Sequence, residues 1–189
     1  MAFWQTLGTG MWTALREIFA SPFKDISVWW VLAPCLLFWI ILEVYFAKHK
    51  SETLGWNTAL GNGISLTWIT VTLMKFLFEG KNINFTWPKF ALVFIIMLYG
   101  FFISYAAFKH KFSAKTTFLL ASPSPIYFLS SVAVLWSYGS LIINIYVVLD
   151  LILLYPIVVG ILLLIRKYVP EADEPMDSSS SSGLDDLDI

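Results

Sequence analysis

Long apolar runs alternate with short polar breaks along most of this chain, and run length decides what each run is. A helix rises 1.5 Å per residue, so roughly 20 apolar residues are needed to cross a hydrocarbon core of about 30 Å. Val28–Phe46 meets this requirement, with Trp29 and Trp30 at one end. Trp87–Phe108 meets it too, and Pro88 suits its first turn, where a missing N–H leaves no bond unmade. Leu54–Phe78 is long enough but less apolar, with Asn57, Asn62, Ser65 and Thr67 among its residues. Thr116–Ile165 is long enough for two crossings, and its best break is "SYGS" (Ser137–Ser140), where Gly139 allows a tight turn. The pattern predicts an all-α integral membrane protein with about five transmembrane helices, at 28–46, 54–78, 87–108, 116–136 and 141–166.

The ends of the chain read differently. In residues 1–25, Trp4, Leu7, Met11, Trp12, Leu15, Ile18 and Phe19 recur at three- and four-residue spacing, which is one helical face. Gly8, Gly10 and the polar opposite side make this stretch an interfacial amphipathic helix rather than a crossing, ended by "SPFKD". It lacks a basic opening run and a small-residue cleavage site, which predicts signal-anchor insertion. Residues 26–169 form the predicted bundle. Residues 170–189 are acidic, rich in serine and low in complexity, a composition that predicts a disordered tail.

The weakest crossing is 116–136, because "ASPSPI" sets Pro123 and Pro125 inside it. Proline removes a backbone donor and pushes the preceding residue out of helical geometry. The expectation is a helix starting afresh with Ser124 as cap and Pro125 as its first residue, hence a broken helix or a re-entrant turn. Backbone groups left unpaired there must be buried in protein or line a wet cavity.

Composition sharpens the class. Hydrophobic residues make up 58% of the 189 and charged residues only 13%, against about 25% in soluble domains. Residues 1–169 hold all twelve bases against six acids, a net +6, whereas residues 170–189 hold seven acids and no base. The lone Cys35 has no partner for an internal disulfide and sits within an apolar run.

Lys-His-Lys occurs twice, as Lys48, His49 and Lys50 and as Lys109, His110 and Lys111, each time after an apolar run. With five crossings both copies leave the membrane on one face. That face collects seven bases and the other five, which places the first face and the C-terminus in the cytoplasm by the positive-inside rule. The simplest reading is a pair of stop signals, lipid-facing bases that snorkel to headgroup phosphates. A paired-histidine metal site is the sharper reading, but neighbouring lysines disfavour a cation and no tight ligand spacing supports it. On the exterior face, "NFT" (Asn84–Thr86) is an N-glycosylation sequon.

Polar groups within the runs are the other candidates. Glu43 lies near the end of its run, where it can reach interfacial water, pair with Lys48 or serve as a ligand in a pocket on the cytoplasmic side. Asn57 and Gly61 share a helical face beside Asn62 and Ser65, a pattern for helix packing or for a polar cavity wall. Asp150 falls near the middle of the run 141–166, where an acid is expensive and marks a functional candidate, with Asn62 or Ser65 as partners at similar depth. At the C-terminus, Leu184, Leu187 and Ile189 alternate with Asp185, Asp186 and Asp188. A tethered peptide of this kind can dock in a basic groove of a soluble protein.

No phosphate-cradling glycine loop, nucleophile elbow or zinc-protease motif occurs, and the bases are too dispersed for a nucleic-acid surface. No catalytic residue, metal ligand or cofactor site is assigned, and the expectation leans away from an enzyme. The expected function is a multi-pass scaffold or adaptor that recruits a cytoplasmic partner through its tail. The alternative is a small transporter or channel subunit, with a polar path through Asn62, the "SPSP" segment and Asp150. With so few helices, that alternative requires a homo-oligomer.

Overall fold

The computed structural model describes residues 2–49, 55–79 and 85–170, and every regular element among them is helical. Seven α-helices follow in order: α1 (Ala2–Ala20), α2 (Trp29–Lys48), α3 (Trp56–Phe78), α4 (Trp87–Lys109), α5 (Ala114–Leu120), α6 (Pro123–Ser137) and α7 (Ile145–Tyr168). Four helical segments are long and apolar enough to cross a membrane: Ile26–Lys48, Trp87–Lys109, Ala114–Ser137 and Ile145–Tyr168. α3 has the length but not the hydropathy, because threonines, serine and asparagines interrupt its apolar surface. Those hydroxyls turn back onto their own helix: Thr67 donates to the Gly63 carbonyl at 2.9 Å, Thr70 to Leu66 at 3.0 Å and Thr72 to Trp68 at 3.0 Å. Self-bonding of this kind lets a threonine sit at an apolar surface without an unmet donor.

The tightest packing joins α3 to α4. A Cβ on Gly63 would fall 2.5 Å from Ser104 Oγ and 2.8 Å from its backbone nitrogen; a Cβ on Gly100 would fall 2.6 Å from Thr67 Oγ1. Two glycines in register therefore bring the backbones into contact, the small-residue device of helix pairs in lipid. The contact runs antiparallel, since Trp56 at the start of α3 stacks on His110 just beyond the end of α4. Asn57 and Gly61 lie on the exposed side of α3, and nothing approaches Gly61 within 4 Å. The seam is thus carried by Gly63 and Thr67 against Gly100 and Ser104, on a different face of α3 from the one that the spacing of Asn57 and Gly61 suggested.

Cross-contacts set the remaining directions. α6 runs parallel to α3, with Asn62 bonded to Ala121 just before α6 and Phe76 stacked on Tyr138 just after it. α6 runs antiparallel to α2, since Cys35 Sγ lies 3.7 Å from the Tyr127 carbonyl while Glu43 meets Ser124. α7 returns alongside α2, bringing Arg166 to Glu43. The carboxyl ends of α2, α4 and α7 therefore share one end of the bundle, with His49, His110 and the start of the tail.

At the opposite end the chain turns over residues 138–144, longer than the turn at 137–140 that the pattern suggested. Gly139 takes φ 77°, as expected of the glycine, and Asn144 caps α7 by accepting from Val147 N at 3.0 Å. Lys24 donates to the Ser140 carbonyl at 3.2 Å and also pairs with Glu17, tying α1 to this turn. Asp25 accepts from the Ser27 hydroxyl at 2.7 Å and from its N–H at 2.9 Å, which together hold its carboxyl below the usual range. Burial pushes the Tyr138 hydroxyl above its ordinary range, and the Asp25 charge pushes it the same way.

α1 lies across α7 rather than along it. On one flank, Thr6, Thr9, Thr13 and Glu17 face Asn144, Tyr146 and Val147 at the start of α7. On the other flank, Gly8, Met11, Trp12 and Leu15 face Asp150, Leu153, Leu154 and Ile157 further along. Gly10 sits at the crossing, where a Cβ would fall 2.8 Å from the Tyr146 ring.

Candidate functional site

The break between α5 and α6 organises the polar interior. Ser122 stands at the N-cap of α6 and Pro123 is its first residue, two positions earlier than the expected start at Ser124 and Pro125. A proline at the first position leaves no N–H unmet. The carbonyls freed at the end of α5 take side-chain donors instead. Asn62 Nδ2 donates to the Ala121 carbonyl at 2.8 Å, and the Tyr99 hydroxyl donates to the Leu120 carbonyl at 2.8 Å. Asn62 is therefore the partner of a broken backbone.

Just beyond the break lies the most fully built polar cluster among the described residues. The Glu43 side chain is only 4% exposed. The Ser124 hydroxyl donates to one of its oxygens at 2.5 Å; Arg166 Nε and Nη2 donate to the other at 2.9 and 2.5 Å. Three helices distant in sequence thus converge on one carboxylate. Arg166 is 35% exposed, so the pair sits at the rim of the bundle, where a guanidinium can still reach interfacial water. This corrects the expected pairing of Glu43 with Lys48, which is exposed at the end of α2. It also gives Arg166, in the last turn of α7, a specific partner.

Ser65 and Tyr127 line one pocket between α2, α3 and α6. Asp150 lies elsewhere. It is the sixth residue of α7, about 7.5 Å along the helix from its start at 1.5 Å per residue. Asn62, the seventh residue of α3, is near the opposite end of the bundle, so the two do not share a depth as the sequence suggested. Asp150 is 5% exposed, and its Oδ2 has no hydrogen-bond partner.

Lys48, Lys109, His110 and Lys111 are exposed, with Lys111 Nζ 5.5 Å from the Tyr105 ring centroid and Lys109 Nζ 5.9 Å from that of Phe108. His110 closes α4 in the left-handed conformation, φ 49°, with Lys111 N donating to the Ala106 carbonyl at 3.2 Å. This is the C-cap geometry usually given to glycine. Its ring stacks on Trp56 at 4.1 Å, and the His49 ring lies 4.7 Å from that of Tyr45. Lys50, Asn84 and the tail residues Leu184, Asp185, Asp186, Leu187, Asp188 and Ile189 lie outside the described residues.

Ser124 as a donor to Glu43, Tyr99 at the helix break and Gly100 at the α4 contact are not marked by the sequence pattern. Each acts through a contact far along the chain, so local spacing carries little sign of it. Comparison with known protein families, characterised proteins and solved structures finds no match for this chain.

Proposed function

We propose that this protein is a non-catalytic membrane scaffold whose helical body carries an acidic, apolar-tipped tail to a soluble partner. The observation behind this reading is the use made of Glu43 and Asn62. Both are buried, and both are spent on ties within the body, to Arg166 and Ser124 and to the Ala121 carbonyl. A carboxylate already held by three donors is poorly placed to take up substrate protons or ions. The transporter reading would need Asn62, the helix break and Asp150 around one cavity; the cavity at Asp150 is lined by α1 and α7 and includes neither Asn62 nor the break.

On this reading the body crosses five times, with α3 as the least apolar crossing, shielded by α4 and α6. α1 lies in the interface on the exterior side: Met11, Trp12 and Leu15 turn toward the bilayer interior, and the threonine flank faces water. The tail leaves from the end that carries seven bases, which the positive-inside rule assigns to the cytoplasm. Bundles could associate as homo-oligomers through lipid-facing helices.

The test is capture of soluble proteins by the full chain in detergent at moderate salt. Replacing Leu184, Leu187 and Ile189 by Ser, with every Asp kept, is expected to abolish capture. Charge alone acts over a Debye length of about 8 Å at physiological salt and binds weakly. Unchanged capture by this variant would reduce the tail to a solubilising appendage and remove the scaffold reading.

A further inference from the structure

The Asp150 side chain opens on a cavity of about 360 Å³ between α1 and α7 that the scaffold reading does not use. Its walls are apolar: Met11 and Trp12 from α1, and Leu153, Leu154 and Ile157 from α7. None of the described residues that line it is basic, and the Glu17–Lys24 pair belongs to the other flank of α1. One carboxylate oxygen is buried there without a hydrogen bond. An unmet carboxylate in an apolar wall is costly, and the cost is removed by a ligand that brings a donor or a positive charge.

The shape of the cavity narrows the ligand further. Trp12 is 63% exposed and lines the same cavity as Asp150, an aromatic face available to a cation. Leu153, Leu154 and Ile157 lie one to two turns beyond Asp150 along α7 and away from its start, so the apolar wall extends toward the middle of the helix. A chain laid along that wall would be shielded on one side by protein and on the other by lipid. We propose that Asp150 anchors a binding site for an amphiphile with a protonated amine head and a hydrocarbon chain. The amine bonds the Asp150 carboxylate beneath α1, Trp12 covers it, and the chain follows α7 into the bilayer. A long-chain amine and an aminophospholipid both carry this chemistry.

The test uses the full chain in bilayer discs of phosphatidylglycerol, which has no amine. The probe is a long-chain primary amine carrying a photoreactive diazirine, and the labelled peptides are identified by mass spectrometry. Labelling is expected on the stretches around Met11–Leu15 and Leu153–Ile157. It should fall at least tenfold in Asp150→Asn, which keeps the side-chain shape. Alcohol and carboxylate probes of equal chain length should label these stretches at least tenfold less than the amine. Trp12→Leu keeps the carboxylate and should weaken amine labelling several-fold, so the proposal stays testable if Asp150→Asn does not fold. Displacement by phosphatidylethanolamine identifies the lipid headgroup as the source of the ammonium. Displacement by unlabelled long-chain amine alone identifies the single-chain ligand. Equal labelling by amine and alcohol, undiminished labelling of Asp150→Asn, or labelling that no amine competes with would each overturn the proposal.

Discussion

Glu43 and Arg166 stand 123 positions apart in the sequence and meet at 2.5 Å in the structure. α7 contributes little to the buried core, with Val147 and Asp150 its only buried residues among those described. The ion pair therefore supplies a specific tie between α7 and α2 at this end, where apolar packing is sparse.

Glu43→Leu should lower stability by about 1–3 kcal/mol, less than the 3–5 kcal/mol for a fully buried pair, because Arg166 can turn toward water. Arg166→Leu should cost more than Glu43→Leu, since it strands a buried carboxylate with only Ser124 as donor. The double variant, which leaves no unpaired charge, should recover most of the loss. Thermal unfolding in detergent reads all three, and additive losses would show that the two side chains do not support each other.

The broken helix makes a second, independent demand. Asn62→Leu leaves the Ala121 carbonyl without its donor and should cost about 1–3 kcal/mol. Tyr99→Phe removes only a hydroxyl from the Leu120 carbonyl and should cost about 1 kcal/mol. Hydrogen exchange at the amides on either side of the break checks both, with faster exchange expected at Ala121, whose N–H bonds the Thr117 carbonyl, and over Tyr127–Ser130 in the second turn of α6, since Pro123 and Pro125 carry no N–H. Protection equal to that of the unmodified protein would mean that the carbonyls find other partners.

Glycine positions separate packing from composition. Gly63→Ala places a Cβ against backbone and side-chain atoms of Ser104, so α3 and α4 must move apart. A loss of about 1–3 kcal/mol is expected, typical of overpacking. Gly61→Ala and Gly160→Ala meet nothing within 4 Å, and each should be neutral or mildly stabilising, because Ala favours helix. Melting temperatures of the three variants should separate accordingly, and equal shifts would place the seam elsewhere.

Much of the helical layout was legible in the sequence, for local reasons. The apolar run, Pro88 in the first turn and the lysine at its end mark α4, and Gly139 marks the turn before α7. The proline pair announced a broken helix, although the choice of Ser122 over Ser124 as cap depended on packing. What stayed hidden is what α-helical periodicity does not encode. Whether Gly61 or Gly63 faces α4 depends on helix rotation, which Gly100 and Ser104 settle from the other side. The depth of Asp150 depended on how many residues the turn consumed, and the turn continued to Asn144. The Glu43 partner required knowing that α7 returns beside α2.

The proposed scaffold requires a body that crosses the membrane five times and returns its tail to the face of both Lys-His-Lys segments. Single cysteines introduced as His49→Cys, His110→Cys, Ser179→Cys and Asn84→Cys in a Cys35→Ser background report this directly. Each is reacted with a membrane-impermeant maleimide in sealed vesicles of both orientations. The first three should react from one common side and the fourth from the other. Reaction of His49→Cys and His110→Cys from opposite sides would contradict the five-crossing body, and with it the scaffold built on it.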